Sequence, residues 1–561
     1  MNKKLNLAIL ILSQISLLAL LLYMDEIYYV VHDDNVMVDI ASGGYGEVSQ
    51  YIVNMHIALG WLLKGLFGLF PFVNWVSIFY LFIYLLSFII LDIVFYNKKP
   101  FGLIFLVLNA SFILLVSHFT FTVVAYTAII AGILLQMKAM KQKRLVNKYF
   151  VTSLILVLCG GLIRGEAIKS VLIIVCFYFL CDLKNWRKYF VIIPTYLVIM
   201  ILCISSNLAW HKWDPTEKTF LEWGETRSST LDCAAVPYDE ALLKGQGISL
   251  AQYRFMYRAF YFDYEAISIQ TLEKLAALNS IENKYNFNVM EYMKSFVHSV
   301  NRENAFMFGS IHLIILYFLL IVYFILCFKQ RNRSWWKGLV IFSAALTMGL
   351  VFFVIRRYLY RVIMPNYILV NLLMLWLICQ ITVRKEINFW MKTVRASLVA
   401  AAFVCVFCIR IYNDNITDKA EYSSERQYVL DYMAENHDTL YLAGDPGTFS
   451  VAKARPIFEY TAQNGFWTLM GDWEIYSVPY YKLMEKYNIE NPDNLLEESI
   501  GSKNIRYLTT LGDSFKEYND YIINYIQKKT GKRSYFKKEE DIVMDQSGKQ
   551  WSVFSLKYER G

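Results

Sequence analysis

The sequence lacks the short patterns that identify many soluble enzymes. It contains no His-Glu-x-x-His zinc motif, no Walker phosphate-binding loop and no Gly-x-Ser-x-Gly nucleophile elbow. The stretch AGDPGTFS at 443–450 has turn residues, but it lacks the Gly-x-x-x-x-Gly-Lys spacing that cradles a nucleotide phosphate. Nucleotide-dependent chemistry therefore has no support in the sequence.

Cysteine is scarce where a disulfide or a metal would need it. Of the nine cysteines, only Cys233 falls outside the predicted membrane spans. One thiol cannot form a disulfide framework, and no cysteine pair stands at the spacing of zinc ligands. We therefore expect neither disulfides nor a cysteine-ligated metal to stabilise the fold.

Apolar residues, in contrast, are abundant. Hydrophobic residues fill 57% of the 561 positions and aromatic residues 17%, whereas soluble domains are roughly 45–50% apolar. Runs long enough to cross about 30 Å of hydrocarbon lie near 5–23, 74–96, 101–117, 120–137, 149–163, 167–182, 189–208, 309–328, 337–355, 361–380 and 393–411. The first run has no small-x-small cleavage site, so we expect a helix there and not a signal peptide. The sequence predicts a polytopic α-helical membrane protein with about 11 transmembrane helices.

The basic loops predict how these helices are oriented. Short loops rich in Lys and Arg stay in the cytoplasm, and such loops (97–99, 138–148, 184–188, 329–337 and 384–392) alternate as eleven spans require. We predict a multi-pass cell-membrane protein whose N-terminus is cytoplasmic, with loops 24–73 and 209–305 and the tail 412–561 outside. The apolar segment His56 to Phe70 is too short to span, so we place it as a helix at the outer interface.

The predicted outer pieces differ in composition from the membrane part. Residues 412–561 carry 18 Lys and Arg against 24 Asp and Glu, a net charge of −6, whereas the preceding residues carry 37 against 23, a net charge of +14. The tail alternates helical stretches (424–435, 495–502, 515–528) with strand-like ones (439–442, 505–509, 541–545, 551–557). We predict a transmembrane domain at 1–411, with amphipathic helices over the membrane face in loop 209–305, and a C-terminal extracytoplasmic soluble α/β domain at 412–561.

Acidic residues cluster directly after the first span. The cluster comprises Asp25, Glu26, His32, Asp33, Asp34 and Asp39, and a bend rich in glycine follows it. Charge held against a bilayer commonly marks a functional site, and this pattern is typical of a pocket mouth. The alternative is that these residues only mark a non-cytoplasmic loop. Asp92, in contrast, lies near the predicted cytoplasmic end of its span, where it could reach the interface.

Several arginines contradict the orientation rule. Arg164, Arg357 and Arg361 fall at the outer rim of the bilayer, where orientation does not need them. A guanidinium group matches the oxygens of a phosphate, so these arginines suggest a phosphate-bearing substrate. The alternatives are that Glu166 neutralises Arg164, or that the arginines reach lipid headgroups.

The whole pattern resembles the GT-C class of integral-membrane glycosyltransferases, and most closely its members in bacterial surface-polysaccharide clusters. The resemblance rests on the acidic pair in HDDNVMVDIASGGYGE, the interfacial helix after it, the Arg-x-x-x-Pro pattern at Arg361 to Pro365 and the outer tail. It implies that Asp33 or Asp34 is the base acting on an acceptor hydroxyl. The implied donor is a sugar on a polyprenyl phosphate, held by Arg164, Arg357 and Arg361. Glu47 departs from the pattern, where an Asp is expected, and we assign it to substrate binding.

The resemblance also implies the partners and leaves alternatives open. The expected partners are a polyprenyl-phosphate-linked sugar, a glycan or lipid-linked acceptor and membrane lipid, with no nucleic acid. A divalent cation could lie near Asp33, Asp34 and Asp39, but arginines can supply the same charge. A lipid-linked polysaccharide polymerase is one rival. A flippase or exporter of lipid-linked saccharide is another, although the sequence has no internal repeat.

Overall fold

A computed structural model shows the fold. It describes residues 3–23, 27–29, 32–116, 119–140, 147–232, 240–257, 260–285, 294, 311–354, 359–381, 422–443, 452–453, 467–469, 473–511, 513–544 and 550–559. The helices up to residue 211 are α1 Lys3–Tyr23, α2 His32–Ser42, α3 Ile57–Leu69, α4 Trp75–Phe95, α5 Phe101–Val116, α6 Phe121–Ala139, α7 Lys148–Arg164, α8 Ala167–Cys181 and α9 Trp186–His211.

The remaining helices fall into three groups along the chain. The middle group is α10 Pro215–Arg227, α11 Glu240–Gly245, α12 Leu250–Tyr257 and α13 Ile269–Tyr285. A second apolar group follows with α14 Ile311–Lys329, α15 Trp336–Val354 and α16 Tyr360–Gln380. The C-terminal group is α17 Tyr422–Glu435, α18 Val478–Lys486, α19 Leu495–Ser499 and α20 Asp513–Thr530.

Seven helices in the described part of the chain are long and apolar enough to cross a membrane, namely α1, α4, α6, α9, α14, α15 and α16. The prediction of a polytopic helical membrane protein is confirmed at this level, although the count of eleven spans is not. Helices α5, α7 and α8 match predicted spans but have only 16, 17 and 15 residues. The predicted span at 393–411 lies outside the described residues. Helix α3 forms where a short helix was predicted, and His56 caps its first turn.

Helices α6 and α16 form the centre of the bundle. In each, 94% of the apolar stretch is buried, against 17% in α1 and 22% in α9. Helix α7 packs closely against α6, because a Cβ atom at Gly160 would lie 2.7 Å from the carbonyl oxygen of Ala125. Small residues allow membrane helices to approach in this way. The apolar outer faces of α1 and α9 are left for lipid.

The C-terminal residues form a mixed five-stranded sheet. Its strands are β2 Leu440–Ala443, β4 Trp467–Leu469, β5 Ile505–Leu511, β6 Ser534–Met544 and β7 Gln550–Tyr558, in the order β4-β2-β5-β7-β6. Strand β2 runs parallel to β4 and β5, and the remaining pairs are antiparallel. The helices and strands predicted between 424 and 557 are found here. The domain boundary at 412 and its extracytoplasmic side remain predictions.

Several contacts join the C-terminal residues to the rest of the chain. Strand β1 Tyr28–Tyr29 pairs antiparallel with β3 Ala452–Lys453. The middle helices pack against α20, where the rings of Phe255 and Tyr525 stack at 4.4 Å. Lys529 of α20 lies 2.8 Å from the buried carboxylate of Asp263. The described part of loop 209–305 is therefore largely helical, and Phe255 of α12 packs on Tyr525, whereas a position of these helices over the membrane face remains a prediction.

Candidate functional site

Helix α2 places two carboxyl groups in its first turn. Asp33 and Asp34 are its second and third residues, where free backbone N–H groups and the helix dipole favour negative charge. The rest of the helix is buried. The chain turns back after it through Gly43 and Gly46, whose φ angles of 94° and 101° suit glycine. Burial of α2 holds both carboxyl groups in place, and their side chains have different surroundings.

The side chain of Asp34 points into the bundle and is fully buried. Its Oδ1 accepts the backbone N–H of Phe121 at 2.7 Å and the hydroxyl of Tyr80 at 3.2 Å. Its Oδ2 is also buried and has no hydrogen-bond partner among the described residues. Burial raises the pKa of Asp34 to about 8. Asp34 is therefore largely a neutral acid at pH 7, and it joins α2 to α4 and to the start of α6.

The side chain of Asp33 remains partly accessible. Its Oδ2 accepts Nη1 of Arg361 at 3.0 Å, and its Oδ1 accepts the indole N–H of Trp473 at 3.1 Å. The side chains of Arg361 and Asp33 are 24% and 18% exposed. Arg361 lies in the first turn of α16, and Trp473 precedes α18. The fold thus brings together three distant parts of the chain around one carboxylate that solvent can still reach.

Arg164, the last residue of α7, stands beside this pair. Its Nη1 donates to the hydroxyl of Thr122, and its guanidinium lies 5.2 Å from the ring centre of Phe121. It is close enough to Arg361 and Asp33 to interact with both electrostatically. Glu166, which could neutralise Arg164, also interacts with it electrostatically, and its own ion-pair partner is Lys169 at 3.8 Å. Two guanidinium groups and an accessible carboxylate therefore share one end of the bundle.

The remaining predicted site residues, Arg357 and Glu47, are not part of this group in the described structure. Arg357 lies outside the described residues. Glu47 is exposed in the turn after α2, where its charge adds to the effect of Glu485 in raising the pKa of Lys482. Asp39 is buried on α2. Within the described ranges, no group of three or more His, Cys, Asp or Glu residues could hold a metal ion. The roles of Glu47 and of a divalent cation remain predictions.

Two groups at the site were not predicted from the sequence. Trp473 lies in a stretch without motif or periodicity, and nothing local marks it as a partner of Asp33. Tyr80 is one of many tyrosines in apolar helices, so its contact with Asp34 has no signal in the sequence. Both contacts join residues more than forty positions apart, and only the packing of the helices brings them together.

A second buried carboxyl group lies near the other end of α4. Asp92 is fully buried, and its Oδ1 accepts Nε2 of Gln14 on α1 at 2.9 Å. Nearby on α1, the hydroxyl of Ser13 donates to Oδ1 of Asn109 on α5 at 2.9 Å. The expectation that Asp92 reaches the interface is wrong, because α1 covers it. These contacts hold α1 against α4 and α5.

No family model, no curated protein and no solved structure matches this chain. The geometry of the site is therefore the basis for the function proposed next.

Proposed function

We propose that the protein is a membrane glycosyltransferase of the GT-C kind that moves a sugar from a polyprenyl phosphate to an acceptor hydroxyl. Asp33 is the general base, and Arg361 with Arg164 holds the phosphate of the donor. The observation that carries the proposal is the pairing of Asp33 with Arg361 at the end of an apolar bundle, where both side chains stay partly exposed. Charge in such a place commonly serves a substrate.

The reaction needs a base and a cationic group at one place. The oxygen of the acceptor hydroxyl forms a bond to the anomeric carbon of the sugar, and the bond from that carbon to the phosphate oxygen breaks. The electron pair stays on the polyprenyl phosphate, whose negative charge two guanidinium groups can stabilise. The hydroxyl proton passes to Asp33. General-base assistance of this kind contributes about 10²- to 10⁴-fold to a rate.

Exposure favours Asp33 over its neighbour as the base. A base must come within hydrogen-bond reach of the proton it removes, and the side chain of Asp33 is 18% exposed. Asp34 is fully buried behind Phe121 and Tyr80 and holds its own proton at neutral pH. We therefore assign Asp34 to positioning α2 and Asp33 to the chemistry.

The arginines have a reason to lie where the orientation rule does not need them. The donor carries its phosphate at the membrane surface, because its polyprenyl chain stays in the hydrocarbon. A guanidinium at the end of the bundle can meet that phosphate through two parallel hydrogen bonds. In the structure Arg361 is bonded to Asp33, so the approach of a phosphate would compete for Arg361 and free one oxygen of the base.

The orientation of the chain follows from the same proposal. Transfer to surface glycans takes place outside the cell. The proposal therefore expects α2 and the first turns of α6 and α16 on the outer side. Since Trp473 contacts Asp33, the proposal expects the C-terminal sheet on that side as well. The predicted cytoplasmic position of the basic loops agrees with this arrangement.

The test is a transfer assay with the purified full-length protein. A panel of polyprenyl-phosphate sugars is incubated with cell-envelope glycan as acceptor, and the release of polyprenyl phosphate is measured. We expect release from at least one sugar, dependent on acceptor, and its loss in Asp33→Asn. If no donor in the panel releases polyprenyl phosphate, the proposal is wrong, and a transport assay with labelled lipid-linked saccharide would then test the flippase alternative.

A further inference from the structure

Two consecutive residues ahead of α18 contact α2 near both of its ends. The indole N–H of Trp473 donates to Oδ1 of Asp33 in the first turn of α2 at 3.1 Å. Just after the last turn of α2, the hydroxyl of Tyr45 donates to Oε1 of Glu474 at 3.1 Å. The segment 473–474 therefore contacts α2 and the turn after it through two side-chain hydrogen bonds.

The residues that follow the segment 473–474 are held by buried contacts. Ile475 and Tyr476, which follow it, are buried. The ring of Tyr476 packs edge-on against Trp223 of α10 at 5.1 Å, and its hydroxyl donates to the backbone carbonyl of Tyr261. Because both the segment and α2 are fixed by buried contacts, the direction of the indole N–H toward Asp33 is set by the fold.

We propose that Trp473 is a positioning residue for the Asp33 carboxylate, which makes the C-terminal region a component of the site. The inference rests on the proposed function, in which Asp33 is the base. Each carboxylate oxygen of Asp33 accepts one hydrogen bond, Oδ1 from Trp473 and Oδ2 from Arg361. When Arg361 turns to the donor phosphate, Trp473 still holds Oδ1, and Oδ2 becomes the oxygen that faces the acceptor hydroxyl.

The chemistry of the indole group supports a positioning role. An indole N–H only donates hydrogen bonds, so Trp473 cannot take the proton itself. Its bond to an ionised oxygen is charge-assisted and therefore stronger than a neutral one. The proton of the acceptor hydroxyl passes to Oδ2 of Asp33, while the Trp473 bond keeps the carboxylate plane fixed during the transfer.

The first experiment removes this hydrogen bond and keeps the ring. Trp473→Phe should lower kcat about tenfold, the order expected for one hydrogen bond to a charged group, with donor and acceptor KM unchanged. The matched control is Trp75→Phe. It removes an indole bond to the backbone carbonyl of Phe70, also 3.1 Å long, at the start of α4. The control should keep the wild-type kcat.

The second experiment does not depend on activity. Melting temperatures are measured for wild type, Trp473→Phe, Asp33→Asn and the double variant. Since the two side chains are in contact, the two changes should be non-additive. Additive melting shifts, or an unchanged kcat in Trp473→Phe, would overturn the inference. If the wild type transfers no sugar, the proposed function fails, whereas the melting temperatures still decide whether Trp473 holds Asp33.

Discussion

Two buried carboxyl groups lie near opposite ends of helix α4. Asp34 of α2 lies near its start and Asp92 of α4 itself lies near its end, and the two have different neighbours. Near its start, Tyr80 donates to Asp34, which adjoins the pair of Asp33 and Arg361. Near its end, Asp92 is bonded to Gln14 of α1. Both carboxyl groups are fully buried. The comparison shows that burial alone does not identify a site, because what distinguishes the first end is an accessible charge beside the buried group.

The largest effect is expected at that accessible charge. Asp33→Asn keeps the shape of the side chain but cannot accept a proton, so transfer should fall by about a hundredfold or more. Release of polyprenyl phosphate by the purified variant is the measurement. Asp541→Asn serves as the matched control, because Asp541 is an exposed residue of β6 and its ion-pair partner is Lys538. Wild-type activity in Asp33→Asn would show that Asp33 is not the base, and the end of α4 near Asp34 would then have no special role.

A smaller effect is expected for the partner of Asp33. Arg361→Ala removes the charge, whereas Arg361→Lys keeps it but loses the forked donor geometry. We expect donor KM to rise about tenfold or more in the alanine variant, less in the lysine variant, and acceptor KM to stay nearly unchanged. Donor and acceptor saturation curves measure both. Unaltered donor saturation in both variants would return Arg361 to a lipid-headgroup role.

For Asp34, the buried neighbour of Asp33, we expect an effect on the stability of the fold and on its pH dependence. The pKa of Asp34 in the folded protein, about 8, lies above the ordinary value of 3.8. The folded state therefore holds the proton more tightly, and the stability gained from it is full below pH 3.8 and is lost as the pH rises from there to about 8. Asp34→Asn mimics the neutral acid and keeps the acceptor for Phe121 and Tyr80.

Melting temperatures at pH 6 and pH 9 test this assignment. The decrease between them should be smaller in Asp34→Asn than in the wild type. An equal decrease in both proteins would show that Asp34 is already ionised in the fold, which would contradict its role as a neutral anchor.

The smallest effect on transfer is expected at the other end of α4. Asp92→Asn keeps an oxygen for Gln14, so activity should stay within about twofold of the wild type. Gln14→Leu leaves the buried carboxyl of Asp92 without this donor and should cost about 1–3 kcal/mol of stability. Melting temperature and transfer rate are measured together. A loss of transfer in folded Asp92→Asn comparable to that in Asp33→Asn would give the second end of α4 a part in the reaction.

The sequence was sufficient to predict the apolar helices and to select Asp33 and Arg361, which the fold brings together. Apolar runs are local features, so most predicted spans in the described chain appear as helices. Arg361 and Asp33 were each selected by a local argument, from charge at a bilayer boundary, and the fold pairs them. The argument could not choose between Asp33 and Asp34, because that choice depends on which side of α2 faces the bundle.

The contacts that join distant segments could not be predicted. Trp473 reaches Asp33 across 440 positions of the chain, and Gln14 reaches Asp92 across 78. Neither residue type is unusual in its surroundings, so only the assembled helices reveal the pairing. The same limit applies to α5, α7 and α8, whose apolar runs were visible in the sequence but whose place in the bundle depends on their neighbours.

The most direct test compares the two adjacent carboxyl groups in one assay. Rates of polyprenyl phosphate release are measured side by side for Asp33→Asn and Asp34→Asn, with melting temperatures to show that both are folded. If Asp33 is the base and Asp34 a neutral anchor, Asp34→Asn should be at least about ten times faster than Asp33→Asn. The reverse order, with Asp34→Asn inactive and Asp33→Asn active, would contradict the account.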